Sequence, residues 1–168
     1  MDFTSADIEQ ILALLAETPQ RLAVLTSGLE QAQLHTAPDH DTWSVHAILA
    51  HLRSCADVWG KSILAMIAEN NPTLRYVSPR TWIRKTNYLE QSFHTSFQAF
   101  AQQRSDLLTS LNELADQDWA RAATFTGTVK GRSQTVFSYA QRIVEHERVH
   151  LDQIESILNA TAASDFDP

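Results

Sequence analysis

Three histidines carry the clearest chemical signal in this sequence: His51, His146 and His150. His146 and His150 stand four residues apart, which on a helix stacks them one turn above the other with Cβ atoms about 5–6 Å apart. Both imidazoles can then reach one divalent ion at ~2.0–2.1 Å. At about 100° per residue the stripe that holds the pair also holds Tyr139, Ile143, Val149, Gln153, Ile154 and Ile157, with Gln141, Glu145, Arg148, Asp152 and Glu155 opposite. The pair therefore faces the core. Two buried imidazoles with no shared partner must each lose water and find a hydrogen bond, so a pair of satisfied core histidines is the weaker competing reading. His51 shares its stripe with Ser44, Ala47, Ile48, Cys55, Val58 and Ser62, a face small enough to admit a ring and an ion. A lone histidine on such a face is ordinarily a core residue, so its place as third ligand depends on the other two.

The string His146-Glu147-Arg148-Val149-His150 matches H-E-x-x-H, in which the glutamate serves as general base. Positions 153 and 156 are Gln and Ser, so the extended metzincin pattern fails and a protease is a poor reading. Glu147 lies about 60° from His150 on the wheel and stays a candidate base. Gln153 and Arg142, within about 40° of His146, are candidates to orient a substrate or to fix an imidazole tautomer. Cys55, one turn after His51, reads first as a small buried hydrophobe and only second as a thiolate ligand. His46 falls on the polar side of its helix, His35 and His40 lie in a polar stretch, and His94 has no visible partner. All four read as surface residues.

These side chains need long helices to hold them. Four Gly and five Pro among 168 residues are few, and 43% hydrophobic residues suffice for one core. A helical period starts near Ser5, meets Pro19, which kinks or restarts it, and resumes from Leu22 to Leu29. Residues 35–41 read as a loop. A second helix is capped by Ser44 and runs to about Asn70. A linker with Pro72 and Pro79 leads to a third helix, starting after Ser78-Pro79 or slightly later and running through Phe93, Phe100 and Leu111. The run Thr124-Phe125-Thr126 with Gly127 and Gly131 reads as a loop or short hairpin. A last helix starts around 133–135 and ends near Asn159. The expectation is an all-α, up-and-down four-helix bundle with a kinked first helix, one domain over residues 1–160 and a disordered tail over 161–168. In such bundles metal sites are built from facing helices.

The net charge of −7, with 13 scattered basic residues, disfavours nucleic acid and anionic membranes as partners. A single cysteine excludes an intramolecular disulfide framework. The first residues carry acids where a secretory signal carries bases, and no apolar run approaches the ~20 residues of a membrane span. The expected setting is cytoplasmic.

Trp43-Ser44 followed by Ile48-Leu49-Ala50-His51-Leu52, and His146 to Ile154 read as H-E-x-x-H-L-x-Q-I, resemble two blocks of the DinB/YfiT-like superfamily. Phe100 to Arg104, Asp118-Trp119 and Gly131 to Val136 lie where that family has similar residues, so the likeness spans roughly Leu12 to Ile157. The resemblance implies a four-helix bundle, a three-histidine metal site at His51, His146 and His150, and frequent homodimers. It also implies relatives that act as bacillithiol- or mycothiol-dependent S-transferases or isomerases. Position 46 departs from the family, being His where a polar or acidic residue is common.

Three neutral imidazoles leave a position open for water or a small-molecule substrate, as in catalytic zinc sites. Such a site suits hydrolysis, transfer of a low-molecular-weight thiol, or metal and ligand binding without turnover. Nitrogen donors favour zinc, with nickel next. From an unperturbed pKa of about 6.5, metal release is expected below roughly pH 6.

Overall fold

The computed structural model of the protein describes residues 3–127 and 132–164. Helix α1, Ser5–Leu25, starts in a capping box. Thr4 Oγ1 accepts from the Asp7 N–H at 3.2 Å while the Asp7 carboxylate accepts from the Thr4 N–H at 2.8 Å. The helix is continuous through Pro19. Proline has no N–H, so the Leu15 carbonyl one turn back loses its helical donor. Arg104 replaces it, with Nη1 donating to Leu15 O at 3.1 Å. Arg104 is 3% exposed, and its Nη2 is also paired with the buried carboxylate of Glu147. Gly28, at φ +77°, turns the chain into a short helix α2, Gln31–His35, which ends where the expected loop of residues 35–41 begins.

Ser44 caps α3, Val45–Cys55, accepting from the Ala47 N–H at 3.1 Å. The helix then passes through a π turn, Ala56–Gly60, into α4, Lys61–Ala68. A π turn holds an extra residue, so a wheel drawn from His51 fails beyond Cys55. Val58 and Ser62 are only half-buried, whereas Trp59, Ile63 and Met66 are buried.

The third long helix, α6, spans Phe93–Asn112 behind its cap Ser92. It starts well after Pro79, because residues 73–90 fold separately: strand β1, Thr73–Arg75, helix α5, Pro79–Trp82, and two 3-10 turns. Asp57 pins this segment, accepting from Trp82 Nε1 at 2.9 Å, Tyr88 Oη at 2.6 Å and Gln103 Nε2 at 2.7 Å. The Ser54 hydroxyl donates to the Pro79 carbonyl at 2.7 Å.

Strands β2, Ala122–Thr126, and β3, Arg132–Thr135, pair antiparallel, and β1 joins β2 in parallel with Leu74 opposite Phe125. The hairpin was one of two readings of this region; β1 was not foreseen. The four-helix bundle thus carries a small sheet in addition, with Ala123 and Phe125 in the same core as Trp59, Ile63, Leu111 and Ile143. Helix α7, Val136–Ser164, follows β3 directly and runs past the expected end at Asn159. The rest of the expected tail, 165–168, and Gly131 lie outside the described residues. A second cluster of Leu22, Ile48, Leu52, Phe100 and Ile154 packs α1, α3, α6 and α7 together. No helix among the described residues is long and apolar enough to cross a membrane.

Arg104→Met leaves Glu147 as a buried unpaired charge and the Leu15 carbonyl without a donor. Urea denaturation should show a loss of about 3–5 kcal/mol, and the double variant Arg104→Met/Glu147→Met should recover most of it. A double variant no more stable than the single one would assign the loss to the Leu15 carbonyl.

Candidate metal centre

His51 enters from α3 and His146 and His150 from α7, and the three rings meet edge to face. Ring centres are 5.2 Å apart for His51 and His146, 5.1 Å for His51 and His150, and 4.5 Å for His146 and His150. The Nε2 atoms of His51 and His146 face each other at 3.0 Å. Two nitrogens at ~2.0–2.1 Å from one tetrahedral ion stand about 3.3 Å apart, so the pair needs an adjustment of only a few tenths of an ångström. Cys55 Sγ lies 3.5 Å from His51 Nε2, and donor atoms of His51, Cys55 and His146 all fall within 4.8 Å of one another. These residues can hold a divalent metal.

Tautomers follow from the neighbours. Gln153 Oε1 is 3.0 Å from His150 Nδ1, which puts the proton on Nδ1 and leaves the Nε2 lone pair free. His51 Nδ1 is buried and has no hydrogen-bond partner among the described residues. Only Nε2 of that ring therefore has neighbours of its own kind.

The electrostatics keep the rings neutral. Burial, followed by the two other histidines and Arg80, lowers His51 to about 4. Burial, then His150, Arg142 and Arg80, lowers His146 to about 4. Burial also lowers His150, partly opposed by its bond to Gln153. The Cys55 thiol is pushed up by burial and by Glu147, so it ionises there only against a cation.

Two indoles wall the cluster. Trp43, just before the cap of α3, stacks on His150 at 6.1 Å and meets His51 edge-on at 5.1 Å. Trp59, turned inward by the π turn, meets His146 edge-on at 5.0 Å.

Of the residues singled out from sequence, the structure brings His51, His146, His150 and Gln153 together, with Arg142 stacked over Trp59 at the edge. Glu147 is 2% exposed, with Oε1 paired to Arg104 between α1, α6 and α7 and Oε2 buried without a hydrogen-bond partner among the described residues; burial stands against the general-base role suggested by H-E-x-x-H, which is corrected. His46 is also corrected. It is 2% exposed, stacked on His35 at 4.1 Å and beside Phe93, because α2 and α6 cover a side of α3 that reads as polar. His35, His40 and His94 are exposed as expected. Cys55 is a buried core residue as expected, and its Sγ also lies among the donor atoms of His51 and His146. Arg80 was missed, and nothing in the Pro-flanked linker announces it.

The sequence model of the DinB superfamily matches residues 14–154. The chain belongs to the DinB superfamily. No curated relative matches this DinB-superfamily chain. Among solved structures it is similar to YfiT from Bacillus subtilis, described as a probable metal-dependent hydrolase with an unusual four-helix bundle topology. The two are 17% identical with a TM-score of 0.84, over 96% of this chain and 91% of that one. It is also similar to a mycothiol-dependent maleylpyruvate isomerase, 13% identical with a TM-score of 0.67, over 88% of this chain and 60% of the isomerase. Identities this low speak for a shared fold.

Because the folded values of His51 and His146 lie near 4 and the unfolded value near 6.5, protons favour the unfolded chain in between. Metal-free protein is expected to keep full stability above about pH 6.5 and to lose it as pH falls towards 4, by on the order of 2–3 kcal/mol per ring. The same shift moves the expected metal release from pH 6 down to between about 5 and 4. Thermal melts of metal-free protein across this range, with metal content after dialysis at each pH, read both effects. Unchanged melting from about pH 7 to 4 would mean that the rings are already charged or paired with an acid in the fold.

Proposed function

We propose that this protein is a metal-dependent enzyme in which His51, His146 and His150 hold one divalent ion, zinc before nickel, and that it transfers a low-molecular-weight thiol to a small electrophile. The observation that carries the reading is the meeting of three neutral imidazoles from two facing helices around Nε2 atoms 3.0 Å apart. When bound, the ion supplies a Lewis acid that favours a thiolate near neutral pH. Gln153 takes up His150 Nδ1, which leaves Nε2 as the atom of that ring that would bind the ion. Trp43 and Trp59 make the flanks of the cluster apolar, which strengthens charge interactions inside.

Thiol transfer ranks above hydrolysis because of Glu147. Water is a weak acid and gains from a positioned base, and the carboxylate that the motif offers is bound to Arg104. A thiol with a pKa near 8.5 needs no such base once a cation is beside it. Hydrolysis remains the second reading, favoured by the likeness to YfiT, a probable metal-dependent hydrolase.

Tag-free protein should contain close to one zinc or nickel per chain by elemental analysis, and calcium or magnesium alone would contradict the nitrogen ligands. A panel of thiols with small electrophiles, run beside activated esters, separates the two reactions. His150→Ala is expected to abolish both metal binding and turnover, while Gln153→Ala weakens metal binding or turnover about 10–100-fold. Metal-loaded wild-type protein that turns over no member of the panel would leave a metal-binding protein without catalysis.

A further inference from the structure

Two arginines stand over the indoles that wall the histidines, and neither has an anion of its own among the described residues. The Arg80 guanidinium lies 5.7 Å from the Trp43 ring centre, and that of Arg142 lies 4.8 Å from Trp59 and 6.0 Å from Tyr139. Each flank of the cluster therefore runs guanidinium, indole, imidazole.

The other arginines near the bundle core are occupied. Arg104 holds Glu147 and the Leu15 carbonyl, Arg53 donates to Gln91 and Ser96, and Arg121 donates to two carbonyls of α4 and its end. Arg80 and Arg142 are exposed, and among the described residues neither forms an ion pair or a hydrogen bond. In a chain of net charge −7, two unpaired cations flanking one cluster make a local excess of positive charge.

Both are also held in place. Arg80 sits on α5, fastened beside Cys55 by the Ser54 bond to Pro79 and by the Trp82 bond to Asp57. Arg142 precedes His146 by one turn on α7, on the same face. Guanidiniums stacked on indoles are partly ordered before a ligand arrives, which lowers the entropy cost of binding.

We propose that the molecule taken by this site is a small oxyanion, gripped by Arg80 on the Trp43 side and by Arg142 on the Trp59 side. A guanidinium offers a planar fork of donors that matches a carboxylate or a phosphate. A neutral substrate would leave both cations uncompensated beside a third positive charge. The inference rests on the reading of the cluster as a substrate site, and it adds the charge of what enters.

The experiment titrates the full chain, metal-loaded and metal-stripped, with succinate, with inorganic phosphate and with uncharged succinamide, following the fluorescence of its four tryptophans, Trp43 and Trp59 among them, and binding by calorimetry. Metal content and melting temperature are measured on the same samples. Succinate or phosphate should bind the loaded protein and succinamide should not. Arg80→Gln and Arg142→Gln should each weaken anion binding about tenfold, with metal content and melting temperature unchanged, and the Lys variants should recover part of it. Tighter succinate than phosphate assigns a carboxylate group, and the reverse a phosphate. Equal binding of succinate and succinamide, or anion binding indifferent to both arginines in metal-loaded protein, overturns the inference and leaves the metal reading standing. Protein that takes up no metal yet binds anions through the two arginines removes the metal reading and leaves this one.

Discussion

The buried contact between Arg104, the Glu147 carboxylate and the Leu15 carbonyl sets the geometry on which the rest of the molecule depends. Pro19 opens a gap in the hydrogen bonding of α1, and an arginine from α6 fills it. The same guanidinium takes a carboxylate from α7. An intact buried ion pair adds little net stability over an apolar substitute, but a misplaced one is costly. Its effect is therefore to fix orientation. Any rotation of α7 that carried Glu147 away from Arg104 would strand a charge in the core. With Glu147 anchored on one side of α7, His146 and His150 are turned to the side that faces α3. The glutamate of H-E-x-x-H thus aims the two histidines.

On the facing helix the π turn does comparable positioning. It follows His51 and Cys55 directly and rotates what comes after, so that Trp59 reaches His146 while Asp57 reaches the 79–90 segment. Without the extra residue, Val58 and Ser62 would continue the His51 stripe and the indole wall would be lost. Asp57 in turn holds α5, and α5 carries Arg80. Two irregularities, a proline inside α1 and a π turn between α3 and α4, thereby shape both sides of the cluster.

The sequence made the regular parts legible. The cap at Ser44, the start of the first helix near Ser5, the helical periods and the inward face of His146 and His150 all follow from local rules, and they sufficed for a four-helix bundle. What stayed hidden depends on tertiary partners. The burial of His46 comes from α2 and α6 closing over a side of α3 that its own composition marks as polar. Strand β1 is three residues long and owes its existence to pairing with β2 across some fifty residues of chain. The fate of Glu147 could not be read either, because H-E-x-x-H on a wheel says nothing of an arginine 43 residues away on another helix. The i+4 spacing of Cys55 from His51 was visible, but its closeness to His146 required α7 to be in place.

Charge accounting links these features to chemistry. The cluster is built of neutral imidazoles, with positive charge beside it from Arg80 and Arg142 and negative charge from Glu147. Among the described residues the anions within reach are few. Glu147 is bound to Arg104, Asp57 accepts three hydrogen bonds at the foot of α5, and Cys55 is a neutral thiol until a cation draws off its proton. A divalent ion at the three rings would therefore sit in a low-dielectric pocket with its charge unmatched by the protein, where each unit of opposite charge is worth several times what it is worth in water. Cys55 can supply one such unit, at the cost of closing the position a substrate would use. The remaining balance has to come from the ligand, so the arrangement that holds the metal also selects the sign of the molecule that approaches it.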